Sequence, residues 1–296
     1  MISGYDDAAT ERLLGVAADV LRSFGSAFGG RHLAMVGGAV PTLLVPKPPR
    51  GIARHVGTGD LDLHLSLHLL DGETADYYQA IIDGLRDLGL EPAAEEGREI
   101  RWRWVGRHRD VRLQVEFLCP VRDRAGRPES PAPETPAEAN IGPDGQITAL
   151  AVGYGHLVPE DTLTVERRVE ASGGSLTYPF SVAGLTSWLC LKTDAIQLRD
   201  KAKDAYDAVW TIDAIGPAEA ARVVHTSPLL AGQHAREVLA QLHLLTNDQF
   251  RDTESIGPRA YAEFLEADPP GPARRHAAGT LKEFRDDLER RGLTEA

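Results

Sequence analysis

The sequence predicts an α+β protein: a mixed sheet backed by helices over residues 1–179, followed by a helical domain over residues 180–296. Three observations carry that expectation. Between Gly59 and Leu70 leucines alternate with polar residues, the period of a strand with one buried face. Ile100–Val105 and Val111–Leu118 read as the arms of a hairpin joined by the polar turn at Gly106–Asp110. Beyond Phe180 the alternation stops and apolar residues recur at helical spacing.

In chain order, Ala8–Phe28 sets Leu13, Leu14, Ala17, Val20, Leu21 and Phe24 on one helical face and ends at Gly29-Gly30. His32–Val36 is a short apolar strand, Gly37-Gly38 a turn, and Ala39–Val45 a short helix stopped by Pro46. In the alternating strand Leu61, Leu63, Leu65, Leu67 and Leu69 face one way, and Asp60, Asp62, His64, Ser66 and His68 the other. Thr74–Leu88 follows as a helix. Along the second hairpin arm Val111, Leu113, Val115 and Phe117 point inward, which leaves Arg112, Gln114 and Glu116 on the opposite face. Residues 122–145, rich in Pro, Gly, Glu and Ala, read as a long loop. Thr148–Tyr154, Leu163–Val169 and Ser175–Tyr178 complete the strands. Helices are expected at Val182–Thr211, Pro217–Val224, Gly232–Leu245, Pro258–Leu265 and Pro272–Arg291.

Composition narrows the function classes. With 296 residues, 42% of them hydrophobic, the chain can bury a core without disulfides or a structural metal. Cys119 and Cys190 stand far apart and show no zinc-site spacing. No leader pattern opens the chain and no apolar run approaches the roughly 20 residues that span a bilayer, so a cytoplasmic protein is expected. The net charge of −12 argues against a general nucleic-acid coat and leaves room only for local basic sites. The strings of P-loop ATPases, zinc proteases and serine hydrolases do not occur.

The chemistry-bearing pattern is a succession. A strand, Gly37-Gly38, a helix, then Thr58-Gly59-Asp60-Leu61-Asp62-Leu63, then Glu116 on a further apolar strand, come in that order. Two residues apart on a strand, Asp60 and Asp62 project from one face with Cα atoms about 7 Å apart. Paired carboxylates at that spacing suit two magnesium ions, with manganese as a substitute, that neutralise a nucleoside triphosphate. Gly37 and Gly38 permit close approach of phosphate. Each element taken singly is also what a plain turn and a solvated acidic strand give. Glu116 is either a third metal ligand, a base for the acceptor hydroxyl, or a salt-bridge partner of an arginine.

A second constellation is Lys192, Arg199, Lys203, Asp204 and Asp207. On one continuous helix Lys192, Arg199 and Lys203 form a cationic stripe, with Asp200, Asp204 and Asp207 in the adjoining one. A solvated, internally paired helix face explains the pattern equally well. His64 and His68 share the Asp face and are expected to be rim or substrate contacts, since magnesium avoids imidazole. Trp102 and Trp104 are expected in the core. Arg101, Arg103, Arg107, Arg109 and Arg112 cluster on the hairpin, either as an RNA contact or as a charged edge.

Val36-Gly37-Gly38-Ala39, Thr58-Gly59-Asp60-Leu61-Asp62-Leu63, Leu191-Lys192, Arg199 and Lys203-Asp204-Ala205-Tyr206-Asp207, in that order, resemble the AbiEii-type nucleotidyltransferases of the polymerase-β-like superfamily. These are toxins of type IV and related bacterial toxin–antitoxin and abortive-infection systems. The resemblance spans about residues 30–215 and implies a polymerase-β-like fold with a helical C-terminal domain. It implies transfer of a nucleoside monophosphate from an NTP to an acceptor hydroxyl, with tRNA as acceptor and an antitoxin protein as partner. By the resemblance Gly37, Gly38 and Thr58 belong to the nucleotide site, and Asp60 and Asp62 hold the metals. It likewise has Lys192 contact the triphosphate and makes Asp204 essential. Arg199 and Lys203 are counted with the nucleotide-binding residues. Where the family carries an arginine two residues before the threonine, this chain has Val56, and the gap from Gly38 to Asp60 is longer. Small-molecule nucleotidyl transfer, phosphoryl transfer of the kinase kind, and a non-catalytic nucleotide-binding module stay open beside it.

Overall fold

A computed structural model describes residues 7–25, 33–65, 75–121, 138–141, 145–199 and 201–293. The chain divides into two compact units. One comprises Tyr5–Leu43 and Val56–Ala183, and the other gathers Leu44–His55 with Gly184–Ala296. Mixed sheet with helices first, helices thereafter, is the α+β arrangement the alternation foretold.

In the first unit α1 (Asp7–Ser23) precedes β1 (Leu33–Val36), a 3-10 turn (Gly37–Ala39), α2 (Val40–Leu44), β2 (Asp60–Leu65) and α3 (Ala75–Asp87). The sheet continues with β3 (Leu90–Glu95), β4 (Arg98–His108), β5 (Val111–Pro120), β6 (Glu138–Asn140), β7 (Thr148–Val152), β8 (Thr162–Ala171) and β9 (Gly174–Ala183). The spatial order is β3-β4-β5-β2-β1-β9-β8, with β7 on β5 and β6 on β7. β2 lies parallel to β5 and antiparallel to β1, and β9 is parallel to β1, so the sheet is mixed. Leu61, Leu63, Val115 and Phe117 are fully buried on one face. Phe24 at the end of α1 meets Phe117 there, with ring centroids 6.4 Å apart. Burying side chains of this size contributes about 1.5–3 kcal/mol each, which fixes the register and so decides which residues face the other way.

Three features depart from the sequence expectation. β3 shows no strand pattern in the sequence because it is an edge strand containing Pro92 and four glutamates or alanines in place of β-formers. Its pairing with β4 slips: Pro92 faces Trp104 but Ala93 faces Ile100, so Arg101, Trp102 and Arg103 bulge out of the ladder. Trp104 is therefore fully buried as expected, whereas Trp102 stays half-exposed beneath the Arg103 guanidinium, 4.5 Å from its ring centre. In the loop expected over 122–145, residues 138–140 form β6; residues 122–137 and 142–144 lie outside the described residues, as do Ser66, Leu67, His68, Leu69 and Asp200.

The second unit contains α4 (Leu185–Leu198), α5 (Ala202–Ile215), α6 (Pro217–His225), α7 (Pro228–Ala231), α8 (Ala235–His243), a π-helical turn (Leu244–Gln249), α9 (Ile256–Phe264) and α10 (Gly271–Arg290). The single helix expected over Val182–Thr211 does not form. Strand β9 runs to Ala183, α4 stops at Leu198, and Arg199 is extended (φ −120, ψ 136) before α5 begins. No Gly or Pro marks the break. Its cause is tertiary: on one straight helix Lys192 and Asp204 would stand about 18 Å apart, yet their side chains are hydrogen-bonded at 2.7 Å. Among the described residues no helix is long and apolar enough to cross a membrane.

Candidate functional site

The register of the sheet builds the acidic face. Asp62 is level with Glu116 on β5 and with Val36 on β1, and Asp60 is level with Gln114. Parallel neighbours on one rung share a face about 4.8 Å apart, so Asp60, Asp62 and Glu116 stand together on the side opposite the buried leucines. Asp60 and Asp62 are both partly exposed. Thr58 Oγ1 accepts from the Asp60 amide at 3.3 Å, a local turn that leads the chain into β2.

Gly37 closes the other side. It leaves β1 with φ +68, a left-handed conformation suited to glycine, and a β-carbon there would overlap Asp62 Oδ2. Glycine turn and acidic strand are thus one construction: the missing side chain is the space the Asp62 carboxylate occupies. Gly38 is buried within the same turn.

Glu116 is already engaged. Its Oε1 accepts from Arg103 Nε at 2.9 Å and from Gln114 Nε2 at 2.8 Å. Arg103 also pairs with Glu95 at 2.6 Å. Arg101 donates to Glu99 and to the Gly145 carbonyl. Arg109 lies 3.7 Å from Asp19, so three of the hairpin arginines are tied to carboxylates. Arg107 and Arg112 sit opposite each other across the hairpin, both exposed, on the Glu116 face.

His64 is not a rim residue. Level with Ala34 and Leu118, it is fully buried, and Gly155 closes over its Nε2. Burial, with a smaller contribution from His156, pushes its pKa down to about 3, so the ring is neutral. Among the described residues neither ring nitrogen has a hydrogen-bond partner.

The second constellation assembles inside the helical unit as a buried ionic cluster. Lys192, 4% exposed, donates from Nζ to Asp204 Oδ1 and Asp207 Oδ2, each at 2.7 Å. Arg199, at the break after α4, donates to both oxygens of Asp204 at 3.1 Å, and Lys203 reaches Asp207 Oδ1 at 2.7 Å. The stripe read from a single helix is replaced by two helices folded onto shared carboxylates. A contact between Lys192 and triphosphate requires an accessible ammonium, and this one is enclosed. Arg199 and Lys203 keep exposure, with side chains 49% and 19% accessible.

His55 completes the cluster, and nothing in the spacing announced it. Its Nε2 lies 3.0 Å from Asp207 Oδ1, 152 residues away, and its ring packs against Tyr206 and Trp210. Trp210 Nε1 also donates to the Ala53 carbonyl, which anchors the 44–55 segment in the helical unit. Burial holds His55 below its ordinary value against the pull of Asp207. The ring is thus neutral, and because an ionised carboxylate only accepts, the proton resides on Nε2. Burial alone would raise Asp207, but Lys192, Lys203 and His55 more than reverse this and hold it low. Burial would likewise lower Lys192, and the two aspartates instead raise it. Lys192 and Asp207 therefore keep their charges at neutral pH.

No family model and no curated protein matches this chain. Among solved structures it is similar to an antigenic nucleotidyltransferase-like protein from Paracoccidioides brasiliensis, at 16% identity over 81% of this chain and 89% of that one, with a TM-score of 0.39.

Proposed function

We propose that the protein is a magnesium-dependent nucleotidyltransferase that moves a nucleoside monophosphate from a triphosphate to an acceptor hydroxyl, with release of pyrophosphate. The observation that carries the reading is the Asp62 carboxylate seated on Gly37, with Asp60 and Glu116 on the same sheet face. Among the described residues three carboxylates, without cysteine or an available imidazole, make an oxygen donor set of the kind magnesium takes. Asp60 and Asp62 would hold the metal, and Glu116 would stand beside them with its second oxygen turned to the acceptor. The bound ions supply charge neutralisation of the triphosphate.

The chain's own groups do the rest. Gly37 lets the Asp62 carboxylate sit against the backbone of the turn, where a phosphate would meet both through the metal. Glu116 takes the acceptor hydroxyl proton, while Arg103 and Gln114 keep its carboxylate oriented. In the helical unit Lys192 fixes Asp204 and Asp207, and Arg199 and Lys203 are the more exposed cations of that cluster. The resemblance to AbiEii-type toxins extends the proposal to a tRNA acceptor and an antitoxin partner. Arg107 and Arg112 support an RNA acceptor locally, against a net charge of −12 that gives no long-range attraction.

The test is to incubate the protein with total tRNA, magnesium and each triphosphate, labelled at the α- or the γ-phosphate. α-Label in the tRNA band, lost on adding EDTA and in Asp60→Ala and Asp62→Ala, is the expected outcome. γ-Label transfer makes the protein a kinase, α-label entering only small molecules removes the RNA acceptor, and no transfer of either label ends the enzymatic reading.

A further inference from the structure

We infer that Trp102 is a stacking platform for a nucleobase of the acceptor, so that the hydroxyl facing Glu116 belongs to a nucleoside. The inference rests on the reading of Glu116 as the group turned to the acceptor. Of the four tryptophans, Trp104, Trp188 and Trp210 are buried, and Trp102 keeps part of its surface. Regular alternation along β4 would put Trp102 on the buried face with Trp104. The slip against β3 overrules that: pairing passes from Trp104 to Ile100, and Trp102 falls in the bulge between Arg101 and Arg103. Bulges beside a site are a common means of re-aiming a side chain.

The re-aimed ring stands beside the acidic face. Arg103 Cζ lies 4.5 Å from the Trp102 ring centre, and Nε of the same guanidinium donates to Glu116 Oε1 at 2.9 Å. Arg103, Glu116 and Asp62 are level with one another on the successive strands β4, β5 and β2. With neighbouring strands about 4.8 Å apart, the row from Arg103 to Asp62 spans roughly 10 Å. Gly37 packs on Asp62 at the far end of that row. Indole, Glu116, Asp62 and glycine turn therefore follow one another in a line.

The bulge is held from several sides. Trp104 Nε1 donates from the core to the Arg101 carbonyl at 3.1 Å. Arg101 Nη1 donates to the Gly145 carbonyl at 2.7 Å and its Nε to Glu99 at 3.1 Å, while Arg103 Nη1 donates to Glu95 at 2.6 Å. Trp102 sits between two anchored neighbours, which limits the ordering cost of binding on it.

The chemistry selects a flat π surface. Arg103 is engaged by two carboxylates, so the bulge offers no net positive charge to an anion. What it offers is an indole, on which any nucleobase stacks. The order along the row decides which base that is. A triphosphate held at Asp62 and Gly37 lies at the far end, and the acceptor hydroxyl at Glu116 comes between, so the base beside Trp102 is the acceptor's. An acceptor without an aromatic group would leave the ring unused.

The platform is tested on the Asp60→Ala/Asp62→Ala protein in EDTA without triphosphate, so that binding is read with transfer silent. The probes are an RNA trinucleotide whose 3′-terminal base is 2-aminopurine, a fluorophore quenched by stacking, and the same trinucleotide with an abasic 3′ end as competitor. Quenching on binding is expected, with the abasic trinucleotide bound about tenfold more weakly. Trp102→Leu should abolish both the quenching and the preference for a base, and Trp102→Phe should stay within about threefold of the parent affinity. An unchanged melting temperature in Trp102→Leu separates lost stacking from lost folding, and the comparison of the two trinucleotides on the parent needs no change at Trp102. Absence of binding, equal affinity for the two trinucleotides, or a base preference that survives Trp102→Leu overturns the inference. So does a Trp102→Leu protein with both aspartates intact that loses magnesium-dependent affinity for triphosphate and none for the trinucleotide, which would give the ring to the triphosphate's base. α-Label transfer to RNA alongside any of these leaves the proposed function standing, whereas a Trp102-dependent base preference without transfer of either label keeps the nucleoside site and removes the reaction.

Discussion

Lys192 meets Asp204 across the break between α4 and α5, at 2.7 Å, with Asp207 equally close on its other side. Removing one member of a buried ion cluster leaves its partners uncompensated, at a cost of about 3–5 kcal/mol. Lys192→Ala is therefore expected to lower the stability of the helical unit by about that amount in urea denaturation. Arg199→Ala, at the exposed end of the cluster, is expected to cost under about 1 kcal/mol while weakening triphosphate more than monophosphate. Intact stability in Lys192→Ala together with selective loss of triphosphate affinity would give Lys192 the direct contact that its burial argues against.

Gly37→Ala is expected to damage both folding and activity. An alanine at φ +68 is strained by about 1–3 kcal/mol, and its β-carbon overlaps Asp62 Oδ2. The overlap term is separable by a double-mutant cycle with Asp62→Ala, because shortening Asp62 removes the atom that clashes. The two substitutions should be non-additive by about 1 kcal/mol or more. Additive effects would mean that the turn and the acidic strand are independent.

Much of this was legible in the sequence because it depends on period two. The alternation in β2 and β5 placed Asp60, Asp62 and Glu116 on one face, and parallel pairing made that face common to both strands. Three things were not legible, each for its own reason. The bulge at Arg101–Arg103 comes from a slip against β3 and leaves no local mark. The end of α4 is set by Asp204 and Asp207 pulling α5 back onto Lys192, while the helix propensity of residues 199–203 is unremarkable. His55 joins Asp207 over 152 residues, a pairing that only folding reveals.

The buried cluster should set the pH range of stability. His55 has a folded pKa below its ordinary 6.5, so the unfolded chain binds the proton more readily, and stability falls as pH drops below about 6.5. Asp207, depressed below 3.8, contributes stability that is present above that value and lost as pH falls through its lower folded value. Lys192, raised above 10.5, contributes below that pH and loses its contribution as pH rises through the folded value. A stability plateau between about pH 6.5 and 10.5 is expected, with an acid shoulder near 6.5 to which buried His64 also contributes, so that His55→Asn reduces the shoulder without removing it. A melting temperature in the wild type that does not change from about pH 5 to 7 would show that His55 is not held neutral.

Glu116 offers the sharpest separation between a structural and a chemical role, because its observed partner is known. If its carboxylate serves only to pair with Arg103, then Glu116→Gln and Arg103→Ala both remove the charge pairing, although the glutamine keeps the hydrogen bond. Both should then lower stability by similar small amounts, about 1 kcal/mol or less for a pair with this exposure, and leave turnover alone. If Glu116 accepts the acceptor proton, the glutamine variant keeps a hydrogen-bond acceptor for Arg103 Nε but loses the base. Its turnover should then fall by about 10²–10⁴-fold, with little change in stability. Arg103→Ala, which leaves the carboxylate in place and only less firmly oriented, should retain turnover within about tenfold. The pH profile distinguishes the cases further: a base gives the rate an acidic limb that disappears in Glu116→Gln. Equal turnover in wild type and Glu116→Gln would reduce Glu116 to the partner of Arg103 and leave Asp60 and Asp62 as the acidic residues that matter.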